Sequence, residues 1–270
     1  MNLTTLWGET PLTVIALVIL AALAAGWIDA VVGGGGLLQL PALILVPGIS
    51  PVQALATNKM ASVFGTTTSA ITWFRRVTPD LKTTLPMALI ALVGSYGGAN
   101  VAALLPASIF KPTIVVALAV VATVTLAKPA LGETLKYTGP SRKHYALSGL
   151  IGIGIGVYDG VMGPGTGTFL IMALITIIGH DFLTASSTAK MVNVATNIGA
   201  LAFFIPQGHV LWALGLAMGV ANMVGGYAGS RMAVAKGNRF IRAAFLVVVT
   251  VLIVKLGYDV WGENLVPSLH

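Results

Sequence analysis

The sequence contains no cysteine and very little charge. Without cysteine, neither a disulfide framework nor a thiolate metal site can form. Charged residues occupy 9% of the 270 positions, whereas a soluble domain carries about 25%. So few charges cannot cover a surface that faces water. The sequence therefore predicts that most of the surface faces a lipid bilayer.

Long apolar runs take the place of the missing charges. Hydrophobic residues make up 56% of the sequence, and most of the runs approach the roughly 20 residues that span a bilayer as an α-helix. A transmembrane β-barrel would alternate polar and apolar residues, unlike LTVIALVILAALAAG at 12–26. The sequence therefore predicts an all-α polytopic membrane protein. The apolar runs lie near 11–32, 52–74, 83–105, 113–127, 145–162, 183–206, 210–230 and 243–258.

The formal net charge of +7 does not indicate nucleic-acid binding. No basic run is interleaved with aromatic residues, as nucleic-acid recognition would require. Basic residues of membrane proteins concentrate in cytoplasmic loops, where they set the topology. The N-terminus lacks the basic region of a cleaved signal peptide, so we expect the first span to remain in the mature protein.

The sequence repeats itself at an offset of 130 to 131 residues. The segment GWIDAVVGGGG at 26–36 returns as GVYDGVMGPGT at 156–166, and GSYGG at 94–98 returns as GGYAG at 225–229. Blocks that keep almost one offset indicate a duplication. We therefore predict repeat 1 at 1–135, a polar linker at 136–144 and repeat 2 at 145–270.

Each repeat contains four long apolar spans and one short one, at 37–47 and at 169–179. Eleven residues rise only about 16 Å as a helix, which is too little for a hydrocarbon core of about 30 Å. The short spans are therefore predicted to be half-helices, either re-entrant or completed by neighbouring backbone. If they cross the membrane, the basic residues divide eleven to two between its sides, and otherwise eight to five. The uneven division predicts inverted repeats with both termini outside.

Away from loops and span ends, four charged residues lie within the apolar spans: Asp29, Lys59, Asp159 and Lys190. A charge inside a membrane is costly and functional by default. Two interpretations remain open. The residues form Asp–Lys ion pairs that hold helices together, or the lysines attract an anion while Asp29 and Asp159 handle protons.

Hydroxyl and amide side chains accompany both lysines. Such donors next to a lysine suit an oxyanion such as sulfite, a sulfonate or a carboxylate. In the second half, Lys190, Asn193 and Asn197 fall on one face of a helix. The predicted substrate-binding side chains are Thr57, Asn58, Lys59, Ser62, Thr188, Lys190, Asn193 and Asn197.

A glycine-rich turn precedes each short span. Glycine lets backbone N–H groups approach a ligand closely, and a helix N-terminus favours an anion. Interrupted helices at matching places in two repeats are the best sequence indication of a transporter's midplane site. The predicted site therefore also includes Gly34, Gly35, Gly165 and Gly167.

The remaining patterns predict structure rather than chemistry. The GxxxG pairs Gly94–Gly98 and Gly225–Gly229 favour close helix packing. Trp27, Trp73, Trp212 and Trp261 are predicted to anchor the chain at the membrane interface. The histidines, at span ends or in loops, are also predicted to be interfacial. They have no metal-ligand spacing, so we predict no metal and no cofactor. No Ser/His or HExxH arrangement indicates an enzyme.

The motifs together resemble the TauE/SafE family of sulfite exporters and organosulfonate permeases. The resemblance rests on the glycine-rich turn after GxxD, on ATNK at 56–59, on GPGTG at 163–167 and on the segment that begins at AK, 189–190. It covers essentially the whole chain, and the second half is especially similar to YfcA-like members. The resemblance implies a plasma-membrane permease with 57–59 and 188–190 in its anion pathway. The second copy has Ala189 where the first has Asn58.

The sequence thus predicts a multi-pass secondary transporter of the bacterial inner membrane, which carries a small organic or sulfur-containing anion with protons. The alternatives are a passive anion channel and an intramembrane assembly protein or enzyme. Polar groups arranged as symmetric pairs, rather than as one asymmetric catalytic set, favour transport. The sequence leaves open the choice of anion, the direction of transport and a homo-oligomeric state.

Overall fold

The computed structural model of the protein describes residues 11–106, 116, 139 and 141–265. Every regular element in these ranges is helical, which confirms the predicted all-α class. Most of the predicted span near 113–127 and of the predicted linker lies outside the described residues. The helices are α1 Leu12–Val32, α2 Gly36–Ile44, α3 Pro51–Phe74, α4 Leu81–Leu104, α5 Arg142–Val161, α6 Thr166–Ala173, α7 Phe182–Phe204 and α8 Trp212–Leu265. A π-helical turn, Leu174–Ile178, extends α6, and α8 is broken at Gly237.

The two predicted short spans are short helices. α2 has nine residues, and α6 has eight before its π-helical turn. Among the described helices, α1 and α4 combine enough length and enough apolar character to cross a membrane. α3 and α7 are as long but less apolar, because they carry the buried polar residues of the centre.

Local sequence signals explain where the helices begin and end. Ser50 caps α3 in a capping box with Gln53, and Pro51 follows in the first helical position. Asp181 accepts a hydrogen bond from the backbone N–H of Thr184 at 2.9 Å and caps α7. α1 ends at Gly33, whose φ of 85° suits glycine because it has no Cβ.

The GxxxG glycines bring helix backbones together as predicted. A Cβ at Gly94 or Gly98 of α4 would collide with backbone atoms of α5, and a Cβ at Gly225 or Gly229 of α8 would collide with α1. The predicted close packing is thus confirmed, because only hydrogen fits at these contacts. It occurs twice, once for each copy of the repeated GxxxG segment.

The predicted role of Trp73 as an interface anchor is wrong. Its side chain is fully buried, and its indole N–H donates a hydrogen bond to the Ala30 carbonyl oxygen at 3.1 Å. That bond satisfies the polar end of the ring, so the tryptophan can pack inside the protein. His144 and His180 are also buried within the protein.

Candidate functional site

The two glycine-rich turns cross each other at the centre of the molecule. The backbone N–H of Thr168 donates a hydrogen bond to the carbonyl oxygen of Gly33 at 3.1 Å, and its hydroxyl donates to the Val32 carbonyl at 3.0 Å. A Cβ at Gly33 would come within 2.7 Å of backbone atoms of Gly167. The glycines therefore permit a direct backbone contact between two interrupted helices.

The four charged residues of the spans form two buried ion pairs, and each pair joins the two halves of the chain. Lys59 Nζ lies 2.6 Å from Asp159 Oδ2, and Lys190 Nζ lies 3.6 Å from Asp29 Oδ2. Lys190 also donates a hydrogen bond to the backbone carbonyl oxygen of Asp29. The structure thus contains the ion pairs of the first interpretation, while anion and proton binding by the same residues stays a prediction.

A glycine makes room for the lysine of the tighter pair. A Cβ at Gly163 would lie 2.7 Å from Lys59 Nζ, and Gly163 also has a φ of 85°. Any side chain there would displace the ammonium group from Asp159. The glycine-rich turn of the second half therefore helps to position the lysine of the first half.

A small polar cavity lies beside the crossing. Its volume is about 20 Å³. That is room for about one water molecule, so a polyatomic anion fits only if the groups that line the cavity move apart.

Many of the predicted site residues line the cavity together. They are Asp29, Asn58, Lys59, Ser62, Asp159, Gly165, Gly167, Asn193 and Asn197, accompanied by Gly33, Gly36, Thr66, Gly163 and Thr166. The lining brings together α3, α7 and both glycine-rich turns. Side chains from the two halves of the chain thus share one cavity, and Lys59 and Asn197, for example, are 138 residues apart in the sequence (197 − 59 = 138).

The other predicted residues lie outside the cavity lining, and they are Thr57, Thr188, Lys190, Gly34 and Gly35. The Thr57 hydroxyl accepts a hydrogen bond from the backbone N–H of Leu211 at 3.1 Å, so it tethers α3 to the start of α8. Gly35 packs against α1, where a Cβ would collide with Asp29. Lys190 reaches the site only through Asp29.

Sequence reasoning missed two hydroxyl groups at Asp159. The Thr166 hydroxyl lies 2.6 Å from Asp159 Oδ1, and the Ser95 hydroxyl lies 3.4 Å from Asp159 Oδ2. The repeat contains the signal that could have found them, because Thr166 and Ser95 align with Gly36 and Gly226 of the other half. Asp159 therefore has two neighbouring hydroxyl groups where the equivalent positions for Asp29 are glycines.

A buried amide pair next to the cavity was also missed. Asn222 Nδ2 donates to Gln39 Oε1 at 2.6 Å, and Gln39 Nε2 donates to the Asn58 carbonyl oxygen at 3.3 Å. The pair connects α8, α2 and α3 directly behind Asn58. It thus fixes the backbone that carries Asn58 and Lys59.

The site has balanced formal charge when all four groups are ionised, with two lysines against two aspartates. α2 and α6 both begin at the cavity, and the first N–H groups of a helix lack helical acceptors and carry partial positive charge. The arrangement can therefore accept an anion, but one added negative charge would leave the site unbalanced.

Comparison with known proteins adds independent information. The chain matches the family described as Sulfite exporter TauE/SafE over residues 18–256. A probable membrane transporter protein, ORF9 of Sinorhizobium sp, is 36% identical over 245 residues, which cover 91% of this chain and 93% of that protein. Probable membrane transporter protein YfcA of Escherichia coli strain K12 is 36% identical over 250 residues, with coverage of 92% and 91%. No solved structure matches the chain.

Proposed function

Because this chain belongs to the sulfite exporter TauE/SafE family of membrane transporters, we propose that it carries a small organic or sulfur-containing anion together with a proton. It is a multi-pass secondary transporter of the bacterial inner membrane and not an enzyme. The observation that carries this proposal is the polar cavity in which Lys59 meets the two crossed, glycine-rich turns. Matching helix interruptions of this kind form the midplane sites of secondary transporters.

Lys59 supplies the principal attraction for the anion. Its ammonium group lines the cavity and is 1% exposed, so its charge acts in surroundings of low dielectric constant. Asn193 and Asn197 offer amide donors from α7. At the starts of α2 and α6, the N–H groups of Leu37, Thr166 and Thr168 already donate to backbone carbonyl oxygens, so the backbone donors proposed for the anion are those of the cavity-lining Gly36 and Gly167. These groups suit the oxygens of sulfite, a sulfonate or a carboxylate.

Charge balance supports proton coupling. An anion added to two lysines and two aspartates gives the site a net charge of −1, which is costly where water is excluded. A proton on one carboxylate restores neutrality. Anion and proton binding are then linked reciprocally, and the direction of transport follows from the two gradients.

The ion pairs also support inverted repeats, with repeat 1 at 1–135 and repeat 2 at 145–270. Exchanging the two halves turns the Lys59–Asp159 pair into the Lys190–Asp29 pair, as a two-fold axis would. The uneven distribution of basic residues favours an axis in the membrane plane. Rocking of one repeat against the other then opens the cavity to each side in turn.

Movement of this kind brings further residues into the pathway. Lys190 acts through Asp29, to which it is paired. Thr57, Thr188, Gly34 and Gly35 are proposed to border the pathway when the helices separate. The functional unit requires the lipid bilayer, a small anion and protons as its partners.

The proposal is tested by transport in proteoliposomes that contain the purified protein. Uptake of sulfite, thiosulfate, methanesulfonate or lactate should follow an imposed pH gradient for at least one anion. Lys59→Met should weaken anion binding about 10- to 100-fold, because a charge-assisted hydrogen bond is lost. The exposed Lys82 provides the matched control, Lys82→Met, which should transport normally.

Two results would contradict the proposal. Flux that ignores the pH gradient would identify a passive channel instead. Unchanged anion binding in Lys59→Met would reduce the lysine to a structural partner of Asp159.

A further inference from the structure

The two aspartates of the site occupy equivalent positions in the repeated sequence but have different surroundings. The side chain of Asp159 is 2% exposed, whereas that of Asp29 is 13% exposed. Both carboxylates line the cavity. The difference in exposure therefore gives water and protons readier access to Asp29.

Asp159 is surrounded by donors that stabilise its ionised form. Lys59 Nζ is 2.6 Å from one carboxylate oxygen, and the Thr166 hydroxyl is 2.6 Å from the other. The Thr166 proton has a second acceptor, the Gly163 carbonyl oxygen at 2.7 Å, but an ionised carboxylate is the stronger acceptor. The Ser95 hydroxyl lies farther away, at 3.4 Å, and its nearer acceptor is the Thr196 carbonyl oxygen at 2.7 Å. Protonation of Asp159 would remove the negative charge that attracts Lys59, which is the strongest of these interactions.

Asp29 lacks the corresponding donors. Glycine stands at the positions equivalent to Thr166 and Ser95, as Gly36 and Gly226. Among the described residues, Asp29 Oδ2 has no hydrogen-bond partner. Lys190 Nζ lies 3.6 Å from this oxygen and donates instead to the Asp29 backbone carbonyl. Protonation of the Asp29 carboxylate would therefore break no hydrogen bond to Oδ2, and Lys190 has a separate acceptor in the Asp29 backbone carbonyl oxygen.

We propose that Asp29, and not Asp159, is the carboxylate that binds and releases the coupled proton. This assignment rests on the function proposed above. It gives the two aspartates, one from each half of the chain, different roles. Asp159 stays ionised and holds Lys59 in place, while Asp29 becomes a neutral carboxylic acid when the anion binds. One proton from water and one anion enter together, so the net charge of the site does not change.

The other charged groups around Asp29 agree with this assignment. They are Lys190 on α7, Lys59 on α3 and Asp159 on α5, and Asp29 contributes to the electrostatic potential at Lys59. An anion bound at Lys59 adds negative potential at Asp29, which favours the uptake of a proton there. When the proton leaves, the negative charge of the Asp29 carboxylate lowers the affinity of the site for the anion.

The Asp29→Asn variant should keep anion exchange but lose net accumulation, because asparagine resembles the protonated acid and cannot release a proton. In proteoliposomes, this variant should still exchange methanesulfonate, whose charge does not change near neutral pH, at a rate that no longer depends on pH. Its accumulation driven by a pH gradient should fall at least 10-fold. Asp159→Asn should keep a pH-dependent rate, although its affinity changes with the loss of the Lys59 partner.

Infrared difference spectra provide a measurement that does not depend on transport. When sulfite or methanesulfonate is added near neutral pH, the wild type should gain a carboxylic acid C=O band. The band should be absent from Asp29→Asn and present in Asp159→Asn. If Asp159→Asn does not fold, the comparison of the wild type with Asp29→Asn still shows whether Asp29 is the carboxylate that gains the proton.

A gain-of-hydroxyl variant tests the physical cause. Gly36→Ser would place a donor at the position equivalent to Thr166, and its Cβ would lie 3.3 Å from Pro164 Cα, a contact that needs only a small shift. The midpoint of the pH dependence should move to lower pH by about one unit. Gly97→Ser is the matched control, because Gly97 lies outside the cavity lining and a Cβ there meets nothing within 4 Å.

The outcomes distinguish the assignment from the proposed function. If the wild type couples transport to protons and Asp29→Asn still does, the assignment is wrong while the function stands. A carboxylic acid band that is lost in Asp159→Asn rather than in Asp29→Asn would also overturn it. If the wild type shows no pH-driven accumulation and no such band, proton coupling itself fails.

Discussion

Removal of one partner of the Lys59–Asp159 pair should destabilise the protein more than removal of both. Lys59 is 1% exposed and Asp159 2% exposed, and their charged atoms are 2.6 Å apart. Lys59→Met leaves the buried Asp159 carboxylate without a neighbouring positive charge. Asp159→Asn leaves the buried Lys59 ammonium group without a neighbouring negative charge. The double variant leaves neither charge.

The magnitude follows from the geometry. At an effective dielectric constant of about 20, two charges 2.6 Å apart attract each other by about 6 kcal/mol. The cost of removing both ions from water offsets most of this attraction, so each single variant should lose about 3–5 kcal/mol of unfolding free energy. The double variant should lose less than either single variant. The Lys190–Asp29 pair should show a smaller coupling, because its gap is 3.6 Å and Asp29 is partly exposed.

The assay is reversible unfolding of the purified protein in mixed micelles with an increasing share of denaturing detergent. All four members of the cycle are measured, and Lys82→Met serves as the control at an exposed lysine. Single effects that add to within about 0.5 kcal/mol would mean that the residues are not coupled. That result would refute the claim that this ion pair holds the two halves together.

Three further predictions follow from individual contacts. Gly33→Ala should abolish transport while Gly34→Ala retains it, because only Gly33 combines a φ of 85° with backbone atoms of Gly167 within 2.7 Å of a new Cβ; equal activities in a transport assay would contradict this. Gly98→Ala should lower the yield of folded protein measured by gel filtration and Gly97→Ala should not, because a Cβ at Gly97 meets nothing within 4 Å. Burial lowers the pKa of His180, which lies in the loop before α7. The folded protein therefore binds this proton less readily than the unfolded chain does, and stability should fall as the pH drops below about 6.5. In His180→Gln, the melting temperature should decrease less as the pH falls. An equal decrease in the wild type and the variant would contradict this prediction.

Much of the architecture could be predicted because it follows from local patterns. The glycine-rich turns interrupt the helices where the sequence repeats, and the GxxxG glycines pack as their spacing predicts. The charged residues of the spans could be expected to meet, because an unpaired charge in hydrocarbon is too costly. These features depend on residue type and spacing, which the sequence displays directly.

The pairing of the charges could not be predicted in the same way. Whether Lys59 meets Asp29 of its own half or Asp159 of the other depends on how the halves interlock, and no local pattern encodes that choice. Burial of Trp73 likewise depends on a single distant acceptor, the Ala30 carbonyl. The orientation of Thr57 away from the cavity depends on the loop before α8.

The pairing between halves also has a consequence for biosynthesis. Lys59 and Asp159 are 100 residues apart, because 159 − 59 = 100. At about 5–20 residues per second, a ribosome needs roughly 5–20 s to make that length. During this time the nascent α3 carries a lysine whose insertion into the bilayer costs about 3 kcal/mol, while its partner Asp159 is not yet synthesised. The Lys59–Asp159 pair can therefore form only after α5 has been made.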